Sequence, residues 1–277
     1  MEKILAVYNS RFSNLHEIKI SPLSRAYTFS DSVYEVIPFY NSELIAFDKH
    51  ISRLRRSCNA LNLVLDFKKT TKEILQLISE SNLKNGYVYY QVSRGVDAIR
   101  SHIFNDNLPI ETFGYVIEHV FKSQKLKVML CEDLRWKRCD IKSTSLLGNV
   151  MSMNNAKKKA CDEVIMHKEN ILTEGGASNL FFTDDKTVFT PSISTNILPG
   201  ITRELLINEI KDAGIQVIED EFNIDDLKNA ESIWLTSSTK GVAQVSDVFD
   251  LEVSLIDDHP LYLRCNKIFN EKFLGGC

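Results

Sequence analysis

Leu172–Phe182 reads L-T-E-G-G-A-S-N-L-F-F, and the fold turns on this stretch. A carboxylate, two glycines and an apolar run predict a tight turn that presents Glu174 beside a close backbone approach. Upstream, Arg138–Leu147 reads R-C-D-I-K-S-T-S-L-L and sets Lys142 between an apolar residue and a Ser/Thr cluster. Downstream, Ile197–Arg203 reads I-L-P-G-I-T-R. Pro199 and Gly200 set a turn, and the first amides of the helix that follows lack intrahelical acceptors, as in phosphate sites. Leu235–Val242, L-T-S-S-T-K-G-V, puts hydroxyls and a glycine after a strand, which is a second anion nest. Singly, these segments also read as a surface lysine, a solvated hairpin glutamate and ordinary turns.

Around them the chain alternates short strands and helices. Ala26–Tyr40 reads as a hairpin or bent strand pair, with a third strand at Glu43–Phe47. Ile51, Leu54, Cys58 and Leu61 fall at helical spacing, and Thr71–Ile78 continues the pattern. Tyr87–Ser93 and Tyr115–His119 read as strands. VFKSQKL at Val120–Leu126 is polar and reads as a connector. It separates an N-terminal domain, 1–119, from a C-terminal one, 127–277. Beyond it come strands at Val128–Cys131, Glu163–His167, Asn179–Thr183, Val188–Thr190, Ile215–Glu219 and Ser232–Thr236. Helices are expected near Leu147–Ala160 and at Thr202–Ala213. Consecutive strands, and the lack of G-x-G-x-x-G, argue against a dinucleotide-binding sheet and for two α+β domains.

The 277 residues are 44% hydrophobic and 25% charged with net charge −4. That composition suits a folded soluble chain and gives no general pull towards nucleic acid or an anionic membrane. No run reaches the ~18 apolar residues of a membrane span, and the first residues read as a strand rather than a leader. The six cysteines (Cys58, Cys131, Cys139, Cys161, Cys265, Cys277) contain no C-x-x-C, so reduced thiols and a cytoplasmic setting are expected, with no metal. His16, His119, His167 and His259 show no metal-ligand spacing. His50 reads as structural, Lys157–Lys159 as a solvated helix face, and Trp136 and Trp234 as packing residues.

Taken in order, K-S … E-G-x-x-S-N-x-F … L-P-G-I-T-R … S-S-T resembles the fold-type IV pyridoxal-5′-phosphate enzymes, over about Val33–Val245. That family comprises branched-chain aminotransferases, D-amino-acid aminotransferases and aminodeoxychorismate lyases. The resemblance implies an α+β, two-domain fold: a smaller N-terminal α/β domain and a larger, mixed α+β, barrel-like C-terminal domain. It implies that Lys142 forms the Schiff base with the cofactor aldehyde and that Glu174 pairs with the pyridine nitrogen. Arg53, in H-I-S-R-L-R-R, resembles the phosphate arginine. The amides of Ile201 and Thr202 and the Thr202 hydroxyl resemble further phosphate donors, as do Ser238 and Thr239. Leu198 matches an apolar residue packed on the ring. These roles suit the chemistry, since a dianionic phosphate needs an arginine plus oriented amides, and a carboxylate at the ring nitrogen keeps the ring an electron sink.

Substrate choice falls to the first half. Arg100 and His102, in Q-V-S-R-G-V-D-A-I-R-S-H, resemble the carboxylate trap of D-amino-acid aminotransferases, and Tyr34 matches the tyrosine that completes it. In the resembled enzymes this loop reaches the partner subunit, which implies a homodimer. The expected reaction is a ping-pong transfer between a D-amino acid such as D-alanine and 2-oxoglutarate or pyruvate. The alternatives are a branched-chain L-aminotransferase and an aminodeoxychorismate lyase. V-D-A-I-R departs from the resembled loops, and Asp97 puts a negative charge beside the trap.

Overall fold

The structure, a computed structural model, describes residues 3–276, so Cys277 and the first two residues lie outside it. The chain divides into two compact units. One runs to Val120 and includes Ile141–Ser145; the other comprises Phe121–Asp140 and the chain from Leu146 onward.

The first unit contains β1 (Leu5–Tyr8), β2 (Arg11–Asn14), α1 (Arg25–Phe29), β3 (Ser32–Tyr40), β4 (Glu43–Leu44), α2 (Phe47–Ala60), α3 (Phe67–Ser81), β5 (Gly86–Ser93) and β6 (Glu111–Glu118). Its antiparallel sheet has the order β2-β1-β6-β5-β3-β4. Alternation along β5 sorts the two faces. Val88, Tyr90 and Val92 join Leu54, Cys58, Ile74 and Leu77 of α2 and α3 in the core. On the other face Tyr89 stacks with Tyr34 and with Tyr115, at centroid distances of 5.5 and 5.1 Å.

The second unit contains β7 (Lys125–Glu132), α4 (Leu147–Lys158), β8 (Glu163–Lys168), β9 (Ile171–Gly175), β10 (Asn179–Thr183), β11 (Thr187–Pro191), α5 (Ile201–Asp212), β12 (Gln216–Asp220), α6 (Ile224–Lys228), β13 (Ser232–Ser237), β14 (Gly241–Phe249) and α7 (Pro260–Phe273). The sheet order is β12-β11-β10-β13-β14-β7-β8-β9. It is mixed: β7 is parallel to β8 and β14, and β11 to β12. The sheet curls, bringing its end strand β9 against β10 and β11. Leu180, Phe182, Ile233, Leu235, Ala243 and Val245 fill one core of this unit. Among the described residues no helix is long and apolar enough to cross a membrane.

Three expected elements differ. Residues 25–29 form a helical turn, not the first arm of a hairpin; Ser30, at φ 51°, ends it. Tyr27, Thr28 and Phe29 favour strands, and five residues are too few to display a helical period. The strand expected at Glu43–Phe47 stops at Leu44, because Ala46 turns left-handed (φ 51°) and α2 begins at Phe47. Glu174 lies inside β9, with the turn following it at residues 176–178.

Candidate active site

In the first unit, Ile141–Ser145 lies along the free edge of β3. The Tyr34 amide donates to the Lys142 carbonyl at 2.9 Å, and the Thr144 amide donates to the Ser32 carbonyl at 3.0 Å. The Lys142 amide donates to Ser57 Oγ at 3.2 Å. With its backbone held on both sides, half-buried Lys142 aims its Nζ at the Tyr34 ring, 4.2 Å from the centroid. That ring is an electron-rich face for an ammonium.

Arg53, on α2, is buried, and its Nε and Nη2 fork onto Glu35 of β3 at 2.7 and 2.8 Å. His50 Nδ1 is 2.8 Å from the same carboxylate. Burial works against the Glu35 charge, yet the Arg53 guanidinium holds the carboxyl well below its usual range. Burial likewise pushes His50 down, so its imidazole favours the neutral form. Arg53 is therefore an oriented cation with a neutralising partner of its own, and His50 is packed into the same buried cluster.

Arg100 and His102 are exposed and share a support different from that of Tyr34. Both rest on Phe29 of α1: the Arg100 guanidinium carbon lies 4.5 Å from the ring centroid, and the His102 ring meets it edge-on at 5.4 Å. Within the unit, Tyr34 thus groups with Lys142, and Arg100 groups with His102.

The second unit builds its site around Glu174. This carboxylate is 4% exposed. Arg135 Nη1 donates to its Oε1 at 2.6 Å, Asn179 Nδ2 donates to its Oε2 at 3.0 Å, and the Leu198 amide reaches both oxygens at 3.1 Å. Burial pushes its pKa up to about 7, against the pull of the Arg135 charge and the Leu198 amide. Arg135 is itself clamped by Asp133, whose two oxygens accept from Nε and Nη2 at 2.9 and 2.8 Å. Thr173 Oγ1 donates to Asp133 Oδ2 at 3.0 Å. Arg135, Asp133 and Asn179 are additions to the expected set. Asn179 sits in the motif without an expected role, and nothing local to E-D-L-R-W marks Arg135.

Ile201 and Thr202 open α5, and both are buried. Gly200 caps the helix without a side chain, so the first amides remain available to an anion. A Cβ on Gly200 would fall 1.9 Å from Asn179 Oδ1, so glycine is required by space rather than by dihedral angle. Asn179 also donates to the Leu198 carbonyl at 2.9 Å, tying this turn to Glu174. Leu198 is half-buried, as are Ser238 and Thr239 in the turn between β13 and β14. Elsewhere, ligand atoms of Asp185, Glu231 and His259 lie within 4.8 Å of one another. His259 Nδ1 accepts the Leu261 amide as the cap of α7, and its Nε2 faces Glu231 at 3.1 Å, so helix capping accounts for that group.

The amino-transferase class IV family model matches residues 32–248. A D-alanine aminotransferase of Listeria innocua serovar 6a is 32% identical over 97% of this chain and 96% of its own. One from Staphylococcus aureus strain N315 is 34% identical over 93% and 92%. Among solved structures, the branched-chain aminotransferase of the thermophilic archaeon Thermoproteus uzoniensis, with norvaline, superposes with TM-score 0.90 at 20% identity, covering 99% of this chain and 96% of that one.

Proposed function

This chain belongs to the amino-transferase class IV family, and from that premise we propose that it is a pyridoxal-phosphate D-amino-acid aminotransferase acting on D-alanine and a 2-oxo acid such as 2-oxoglutarate or pyruvate. The observation that carries the substrate class is the 32–34% identity to D-alanine aminotransferases over nearly the whole of both chains. The fold likeness to the branched-chain enzyme, at 20% identity, does not bear on substrate.

The side chains fit the cofactor. A carboxyl pushed up to about 7 by burial gains most when a cationic pyridine nitrogen lies against it, and Glu174 is such a group. In the second unit the open amides at Ile201 and Thr202 and the Ser238 and Thr239 hydroxyls, and in the first unit the Arg53 guanidinium, are donors of the kinds that a phosphate dianion requires. When bound, the cofactor supplies an electron sink for the pair left at Cα.

The chain's residues do the rest. Lys142 would be the amine that holds the cofactor, and its free amine would serve as the general base for the Cα proton. Glu174 holds positive charge at the ring nitrogen, with Arg135 and the Leu198 amide fixing its direction. Arg100 and His102 fix the substrate carboxylate, with Tyr34, and thereby which Cα–H faces the base.

A homodimer in which the Arg100 loop serves the partner's site completes the proposal. Tyr27, Ile99 and Ile103, which flank Arg100 and His102 in the fold or the sequence, are 72%, 69% and 85% exposed, apolar surface that a second copy would cover. Borohydride reduction of the holoenzyme and peptide mapping should place the label on Lys142. D-alanine, and neither L-leucine nor aminodeoxychorismate, should bleach the internal cofactor absorbance. A label elsewhere, or bleaching by L-leucine alone, would overturn the assignment.

A further inference from the structure

We propose that Arg25 is the positioning residue for Arg100 and His102, holding the backbone between them and the ring beneath them. The inference rests on reading that pair as the substrate-carboxylate site.

Arg25 opens α1 and is 4% exposed. Its Nη1 donates at 2.7 Å to the carbonyl of Ser101, the residue between Arg100 and His102. Its Nε donates to Asp31 Oδ2 at 2.9 Å, and Arg94 Nε reaches the same oxygen at 2.8 Å. The Arg25 amide donates to the Gly95 carbonyl at 2.8 Å, and Ser24 forms a β-bridge with Val96. The loop is therefore held at its base, at residues 95 and 96, and at its working end, Ser101, by one buried residue and its neighbour.

The second anchor is Phe29, one turn on in the same helix. The guanidinium carbons of Arg25 and Arg100 each lie 4.5 Å from its ring centroid, and His102 meets the ring edge-on. Arg94 stacks on Phe104, further along the loop, at 3.8 Å. These contacts restrict two exposed side chains that would otherwise lose freedom on binding, and a carboxylate is bound more tightly by donors ordered beforehand.

Charge placement supports the same role. Asp31 and Asp97 face Arg25, with Asp97 Oδ2 at 3.9 Å from Nη1. The Asp97 charge is thereby directed at the buried arginine. Among the described residues no carboxylate lies within ion-pair distance of Arg100, which keeps its charge for a substrate anion.

The test is a double-mutant cycle on the holoenzyme, with KM and kcat for D-alanine as readouts. Arg25→Lys should raise KM about tenfold with kcat within about threefold, and should add less than about twofold in an Arg100→Ala background, because residues acting through one another are not additive. Phe29→Leu, which leaves the buried ion cluster in place, should behave alike and decides the matter where Arg25→Lys does not fold. An unchanged KM in either variant, or an equal rise in both backgrounds, overturns the positioning role and leaves the carboxylate reading standing. An Arg100→Ala enzyme with unchanged KM would remove that reading and this inference with it.

Discussion

The Leu198 amide lies 3.1 Å from each carboxylate oxygen of Glu174, so the chain that leads into α5 is itself a ligand of the acid. The turn that opens α5 and the carboxylate are thus joined through Leu198 and Asn179.

Glu174→Gln keeps the shape of the side chain but turns an NH2 towards a site where Arg135, Asn179 and Leu198 all donate. Turnover should fall by about 100-fold or more, the cost of losing an oriented charge in a buried site. Steady-state kcat with D-alanine and 2-oxoglutarate checks it.

The cofactor-free protein should lose stability as pH rises from 4.5 to about 7. Over that window the folded chain keeps the Glu174 proton that the unfolded chain has released, so folding is favoured at the acid end and the advantage disappears as pH climbs through the raised value. The shift from 4.5 to about 7 corresponds to an upper bound of roughly 3–4 kcal/mol. Urea unfolding at both ends of the window, on wild type and on Glu174→Gln, isolates this group from His50, whose lowered value slopes the other way. Parallel curves for the two proteins would refute it.

Gly200→Ala should weaken the cofactor site. A methyl placed 1.9 Å from Asn179 Oδ1 forces that side chain or the helix entry to shift, at roughly 1–3 kcal/mol. Because Asn179 also donates to Glu174, the expected readout is a raised dissociation constant for pyridoxal phosphate.

Glu35→Gln leaves the Arg53 guanidinium buried without its counter-charge, and such losses cost about 3–5 kcal/mol. Denaturant midpoints measure it. A change below about 1 kcal/mol would mean that the Arg53–Glu35 fork is not the structural pair described.

A subunit-shared site predicts rescue by mixing. Lys142→Ala and Arg100→Ala enzymes, each inactive or weak alone, should regain activity when unfolded and refolded together. In a mixed dimer one of the two sites then holds both a native lysine and a native arginine. No gain on mixing would place both residues of each site on one chain.

Much of the fold is legible along the chain. Helices α2, α3 and α5 declare themselves by apolar spacing, and the Ser32–Tyr40 and Gly86–Ser93 strands by alternation. The helix at Pro260–Phe273 is not among the expected elements, although Pro260 stands in its first turn and Tyr262, Cys265 and Phe269 fall on one face. Strand β14 is likewise an addition, because Gln244 and the Ser246–Asp247 pair, where its register shifts, break the alternation that marks a strand. The segments that hold Glu174 and Gly200 are legible because the turns beside them, at residues 176–178 and at Pro199–Gly200, leave local marks. Arg135 and Phe29 are not: their importance comes from partners distant in sequence, brought near by strand order and loop path.

The five residues at Ile141–Ser145 belong with the first unit while the chain on either side belongs with the second. No single cut therefore yields two self-sufficient modules. A truncation anywhere between 121 and 140 strands Lys142 on one fragment and the β-edge that seats it on the other. Evolution or engineering by domain exchange would have to carry both pieces, so the Arg100 loop and the Lys142 segment are inherited as one block.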